Sequence, residues 1–286
     1  MRAGIVLTFL SLLLAASGCG SGSHAANSKP LVVAAFYPIA YAAERVDPGA
    51  EVDNLTPAGA EPHDLELTPR DVEHVRGADT VLYFGEGFMP ALEKAVEGDD
   101  QAVDLLAGQQ LLQGAEGDET VGDPHVWLDP NRYAQIVRKI AGALGKPRAA
   151  NGLLAQLRQL DVEYWTGLAH CERHAIVTSH AAFGYLASAY GLEQIPLTGI
   201  TPEAEPSAKS IEAMVNTVEQ QGATTVFFET LVSPKLAQTV AREAGARTAV
   251  LDPIEGLTKD ESANGADYFS LMRANLDALR KALGCS

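Results

Sequence analysis

The sequence predicts an α/β protein of two lobes, each a parallel four-stranded sheet with flanking helices, joined by one long helix. Three observations predict it. Short apolar runs alternate with helical stripes from Lys29 onward. The alternation is played twice. Between the two rounds, Leu153, Leu157, Leu160, Tyr164 and Leu168 make one apolar stripe over about six helical turns. With 286 residues, 47% hydrophobic and 20% charged, the chain has a globular composition at a length that favours two domains, which excludes disorder and fibrous repeats.

Arg2 gives a positive start, Ile5 to Ala16 an apolar stretch too short to span a bilayer, and Ala16-Ser17-Gly18-Cys19 an ending that resembles the bacterial lipobox. Residues 1–18 are therefore expected to be a signal peptide, Cys19 a lipidated mature N-terminus, and residues 19–29 (GSGSHAANSK after the cysteine) a polar tether. In such an extracytoplasmic, oxidising compartment the two remaining cysteines, Cys171 and Cys285, read as a disulfide.

The first lobe, residues 30–145, has candidate strands at Leu31 to Phe36, Val52 to Thr56, Thr80 to Phe84 and Ala102 to Leu106. Thr68-Pro69 opens a helix as N-cap and N1 proline, and Gly77 closes it. Tyr133, Ile136, Val137, Ile140 and Leu144 form a helical stripe that Pro147 interrupts, and the bridging helix is expected over residues 146–170. The second lobe, residues 171–286, has candidate strands at Ala175 to Ser179, Gln194 to Leu197, Thr225 to Glu229 and Thr248 to Leu251. Helices are expected near Ser207 to Gln221, Ser233 to Ala244 and Thr258 to Leu283.

Thirty-seven acidic against 21 basic side chains give a formal charge of -16. Such a surface repels phosphate backbones and excludes nucleic-acid binding. Three cysteines are too few to carry a disulfide scaffold, so the core must hold the fold.

Chemistry gathers where the strands end. His63 follows the second strand, His125 the fourth, and His180 the first strand of the second lobe; the loop Leu251-Asp-Pro-Ile-Glu-Gly-Leu257 offers Asp252 and Glu255. In open parallel sheets ligands bind beyond the carboxyl ends of strands, so two facing sheets bring such loops into one cleft. Three neutral imidazoles and one carboxylate suit tetrahedral Zn2+. A lone loop histidine is most often a solvated group, and His24 and His74 read that way. His170 and His174 flank Cys171 but straddle a helix-to-strand junction. Trp127, Phe183 and Tyr185 read as core, with the first two able to wall the cleft. Asp64, Glu66 and Asp129 read as caps or as acceptors for imidazole N–H groups.

Taken together, the lipobox, Glu61-Pro-His-Asp-Leu-Glu-Leu-Thr-Pro69, Asp123-Pro-His-Val-Trp-Leu-Asp-Pro130, Ser179-His-Ala-Ala-Phe-Gly-Tyr185 and Leu251-Asp-Pro-Ile-Glu-Gly-Leu257 resemble the zinc/manganese class of ABC-transporter solute-binding lipoproteins. The resemblance covers the mature chain. It implies two lobes joined by a rigid helix and a monomer that holds one metal between them. That metal would pass to a membrane permease driven by a cytoplasmic ATPase, and the lipid anchor would keep the protein on the bacterial membrane, at the cell surface or in the periplasm. It carries ligand roles to His63, His125 and His180, with Glu255 as the fourth and Asp252 in reserve. Manganese-type relatives usually have a carboxylate where this chain has His180, which favours zinc over manganese import. Zinc members often carry a long His-rich loop before the second ligand motif; here Gly108 to Gly122 is short, acidic and without histidine. A zinc hydrolase is the rival class, but no His-Glu-x-x-His motif is present. An adhesin would leave the four strand-end motifs unexplained.

Overall fold

The computed structural model describes residue 1 and residues 29–117, 119–202 and 207–286. Most of the expected signal peptide and tether, including Cys19 and His24, lies outside the described residues. Among the described residues, no helix is long and apolar enough to cross a membrane.

The first lobe runs β1 (Leu31–Ala34), α1 (Tyr37–Val46), β2 (Glu51–Asn54), α2 (Pro69–Arg76), β3 (Thr80–Tyr83), α3 (Pro90–Ala95) and β4 (Ala102–Asp104). Its strands are all parallel, in the order β2-β1-β3-β4. β1 is buried on both faces, as a central parallel strand should be, while β2 at the edge alternates exposed and half-buried residues. Thr68 caps α2 through a reciprocal pair: its hydroxyl accepts from the Asp71 backbone N–H, and the Asp71 carboxylate accepts from the Thr68 N–H.

An antiparallel hairpin, β5 (Gln113–Glu116) and β6 (Glu119–Gly122), follows. It lies in the stretch read above only as a short acidic loop. It crosses to the second lobe, where the Ile200 N–H donates to the Ala115 carbonyl (3.1 Å) and the Thr201 N–H to the Glu116 carboxylate (2.9 Å). Gly114 and Gly199 permit this approach: a Cβ at Gly199 would sit 2.6 Å from the Ala115 carbonyl oxygen.

Asp129 caps α4 (Pro130–Ala143), accepting from the Asn131 N–H at 2.8 Å. The long helix α5 covers Asn151–Leu168, shorter than the expected 146–170 because Lys146 to Ala150 form turns around Pro147. The second lobe runs β7 (Ala175–Thr178), α6 (Gly184–Tyr190), β8 (Glu193–Pro196), α7 (Ala208–Gln220), β9 (Thr225–Phe228), α8 (Lys235–Glu243), β10 (Arg247–Val250), α9 (Lys259–Ala263) and α10 (Tyr268–Leu283). Its parallel sheet has the order β10-β9-β7-β8. Counted from each lobe's own first strand, both sheets therefore have the order 2-1-3-4. The single helix expected from Thr258 to Leu283 is two helices, because Gly265 adopts φ 71° and Asp267 caps a new start.

One hydrophobic core passes from β1 through α4, α5 and α10 into β7, and a smaller one lies between the second sheet and helices α7 and α8. β7 divides between them by the period of a strand: Ile176 faces the first core and Val177 the second. The α10 helix runs beside α5, where the Tyr164 hydroxyl donates to the Met272 carbonyl at 2.6 Å. Its N-terminal end also reaches the first lobe, where Tyr268 packs on Tyr133 and donates to the Trp127 carbonyl. The α5 helix carries the chain from one lobe to the other as expected, and α10 packs against the junction beside it. At the chain end Cys171 and Cys285 form a disulfide, flanked by Arg173 N–H to Leu283 carbonyl (3.1 Å) and Ser286 N–H to His170 carbonyl (3.0 Å). His170 and His174 are exposed beside it, with the Cys171 sulfur already committed.

Candidate metal centre

Four loops meet between the lobes. Each is held by turn chemistry written in its own residues. In the loop after β2, Gly59 adopts φ 88° and its N–H donates to the Leu257 carbonyl of the opposite lobe at 2.8 Å. The Glu61 carboxylate accepts from the His63 N–H at 3.1 Å, which fixes the turn carrying the imidazole. The same device recurs at Asp123-Pro-His125, where Asp123 Oδ1 accepts from the His125 N–H at 2.8 Å. The shorter aspartate also reaches the ring and accepts from Nδ1 at 2.8 Å. His125 follows the β5–β6 hairpin directly, not the fourth strand of the sheet as its sequence position suggested.

His180 stands just beyond β7. Its Nδ1 donates to Glu229 Oε1 at 2.8 Å, and that oxygen also accepts from the Ser179 hydroxyl at 2.6 Å. Its carbonyl accepts from Thr178 Oγ1 (2.8 Å) and Gln194 Nε2 (2.9 Å), so backbone and ring are both fixed. Beyond β10, Ile254 is held in the left-handed region at φ 58°, a conformation costing roughly 1–2 kcal/mol for a residue with a Cβ. Asp252 supports it, accepting from the Ile254 N–H (2.7 Å) and the Thr230 hydroxyl (3.2 Å), while Asn275 bonds both backbone groups of Asp252. Trp127 Nε1 donates to the Pro253 carbonyl at 2.7 Å. That strained turn delivers Glu255 into the centre.

His63, His125, His180 and Glu255 each place a donor atom within 4.8 Å of the other three. Glu255 Oε1 lies 3.0 Å from His125 Nε2, 3.3 Å from His180 Nε2 and 3.5 Å from His63 Nε2. Asp252 is not in the group, because its carboxylate is spent on the turn. His125, His180 and Glu255 are 0% exposed. His63 Nε2, His180 Nε2 and Glu255 Oε2 are buried without hydrogen-bond partners: the first two lie at ion-pair distance from Glu255 but outside bonding geometry. Glu255 Oε1 accepts from His125 Nε2, which leaves two imidazole nitrogens and one carboxylate oxygen buried without partners, an environment that a divalent cation satisfies.

The electrostatics of this cluster are coupled. Burial alone would lower the pKa of His125 and His180, but hydrogen bonds and charge from Asp123, Glu229 and Glu255 outweigh it. His125 is raised above the ordinary imidazole value and His180 well above it. Burial pushes Glu255 up, and the three facing imidazoles reverse this and hold it well below the usual carboxylate range. Glu61 is pushed up to about 9 by burial and then by the charge of Glu255. Asp252 is pushed up to about 7, mainly by burial.

Trp127 walls the centre, 5.1 Å from the His125 ring, and Phe88 stacks edge-on to His63 at 4.6 Å. Phe183 is buried. Sequence reasoning overlooked the carboxylates behind the rings. Asp123 and Glu61 carry a usable signal, an acid-Pro-His triplet that occurs twice. Glu229 carries none, since it meets His180 only because β9 pairs with β7. Of the proposed acceptors, Asp129 is a helix cap and Asp64 and Glu66 are exposed.

A family model described as zinc-uptake complex component A, periplasmic, matches residues 32–282. The high-affinity zinc uptake system protein ZnuA of Bacillus subtilis is 35% identical over 306 aligned positions, covering 97% of this chain and 96% of that protein. The zinc-binding lipoprotein AdcA of Streptococcus pneumoniae (strain ATCC BAA-255 / R6) is 34% identical over 303 positions, and this chain spans 60% of its length. Among solved structures, the Zn(II)-bound ZnuA-like domain of the S. pneumoniae AdcA has a TM-score of 0.77 at 33% identity, with 90% of this chain and 99% of that one covered. The laminin binding protein of Streptococcus agalactiae has a TM-score of 0.79 at 26% identity, covering 90% and 100%.

Proposed function

The chain belongs to the family of periplasmic zinc-uptake components, and from that premise we propose that it captures one Zn2+ outside the cytoplasm and delivers it to an ABC importer. His63, His125 and His180 supply Nε2 and Glu255 supplies a carboxylate oxygen, two donors from each lobe. The permease and its cytoplasmic ATPase are the receiving partners, Cys19 is the anchor to the bacterial membrane, and the protein works as a monomer without catalysing a reaction. The observation that carries this reading is the convergence of three imidazoles on one buried carboxylate, with the Nε2 atoms of His63 and His180 and one oxygen of Glu255 left unpartnered. A hydrolase would need an open coordination position and a base beside it, and Glu255 already stands against all three nitrogens. Three nitrogen donors favour zinc over manganese.

The test is a competition titration with zinc across pH. Metal binding requires neutral imidazoles, and in the metal-free protein His125 and His180 hold protons to higher pH than free imidazole. Each bound zinc must release them, so affinity rises with pH and is lost on acidification. The loss begins above the ordinary imidazole range near 6.5. One zinc per chain is expected at pH 7.5, with affinity at least about a hundredfold weaker at pH 5.5. A flat profile, or turnover of ester or peptide substrates by the zinc-loaded protein, would overturn the reading.

Glu229→Gln tests how the ring is held. Glutamine keeps the shape but removes the charge that orients His180, so zinc affinity should drop about 10- to 100-fold. Zinc stoichiometry stays at one per chain. An unchanged dissociation constant in calorimetric titration would show that Glu229 does not orient the ring.

A further inference from the structure

Beside the histidines, Glu61, Glu229 and Glu255 form a second group with donor oxygens within 4.8 Å of one another. It shares only Glu255 with the first. Glu229 and Glu255 are 2% and 0% exposed, and their Oε2 atoms, together with Glu61 Oε2, are buried with no hydrogen-bond partner. The other oxygens are accounted for: Glu229 Oε1 holds His180 and Ser179, Glu61 Oε1 holds the His63 N–H, and Glu255 Oε1 faces the imidazoles. No amide, imidazole, guanidinium or alcohol donor reaches the three that remain. Buried carboxylate oxygens without donors are costly, and three of them together make an environment of the kind hard cations satisfy.

We propose that Glu61, Glu229 and Glu255 form a second, all-oxygen cation seat beside the three-histidine seat, which takes a hard divalent ion such as Mn2+ while zinc is held by nitrogen. The inference rests on the reading of the histidine site given above. Oxygen-only donors suit manganese, magnesium or calcium, and zinc supplied at one equivalent is drawn to the nitrogen-rich seat, which leaves this one to the harder ion. Glu255, common to both seats, would bridge the two ions.

The experiment uses the full chain loaded with one equivalent of zinc, titrated with Mn2+ and read by the loss of the free-ion paramagnetic resonance signal. Salt screens the acidic surface, and metal analysis after desalting counts zinc. The expected result is one tightly held Mn2+ per chain with zinc retained. Glu61→Gln, which preserves the acceptor for the His63 N–H, should weaken that manganese by at least about tenfold while zinc remains at one per chain. Three results overturn the proposal: no manganese bound beyond the weak surface background, manganese that displaces an equal amount of zinc, or Glu61→Gln binding as the wild type does. Less than one zinc per chain before any manganese is added would overturn the histidine reading itself, and so separates the two failures.

Discussion

Glu255→Gln should weaken zinc binding by about a hundredfold or more, ~2.7 kcal/mol, whereas Asp252→Asn should change it less than about threefold. Both are carboxylates in one loop three residues apart, so the contrast tests geometry and not proximity in sequence. Glu255 places one oxygen 3.0 to 3.5 Å from all three imidazole Nε2 atoms, and it is the only anionic donor in the four-residue group. The amide keeps its volume and loses its charge. Asp252 instead supports the left-handed Ile254, and burial favours its neutral form, with the pKa near 7. Asparagine retains an oxygen for the Ile254 N–H, and the Thr230 hydroxyl can turn to accept from its amide. Calorimetric or chelator-competition titration of both variants decides the matter. Equal small losses would mean that neither carboxylate binds zinc.

The second large effect concerns stability. Replacing Cys171 and Cys285 by serine opens a covalent loop with a sequence separation of 114. In the chain-entropy model such a loop contributes about 4 to 5 kcal/mol by restricting the unfolded chain. The unfolding temperature should fall by roughly 10 °C or more, while zinc stoichiometry and affinity stay at their wild-type values. The bridge lies at the far ends of α5 and α10, away from the four donor loops. Loss of zinc in the double variant would show that the chain end supports the site. Two titratable thiols in the folded, oxidised protein would show that no bridge exists.

Much of the architecture was legible because its signals are local. β1 and β3 are uniform apolar runs, Thr68-Pro69 is a helix start written in two residues, and the stripe from Leu153 to Leu168 marks α5 by its period. The candidate site was legible for a related reason: histidines next to proline or small residues at strand ends stand out against apolar strands. What escaped depends on pairing across the chain. The hairpin Gln113–Gly122 has no apolar alternation to announce it, since its stability comes partly from docking on Ile200 and Thr201. The break between α9 and α10 turns on Gly265, a residue tolerated within many helical patterns. Glu229 could not be matched to His180 without knowing the sheet order, and the return of Tyr268 to the first lobe is a property of the packed core.

The disulfide also makes a ring of the polypeptide. Every residue of β7 to β10 and of α6 to α10 lies between Cys171 and Cys285, so the whole second half of the molecule is enclosed in one covalent circuit. A peptide bond cut anywhere within it severs the ring at one point but frees no fragment, and the pieces stay in register for as long as the bridge remains oxidised. His180 and Glu255, which both sit inside the circuit, are therefore kept on one molecule even after such a cut. His63 and His125 lie outside it on the open stretch of chain, where a single cut has no such retaining link.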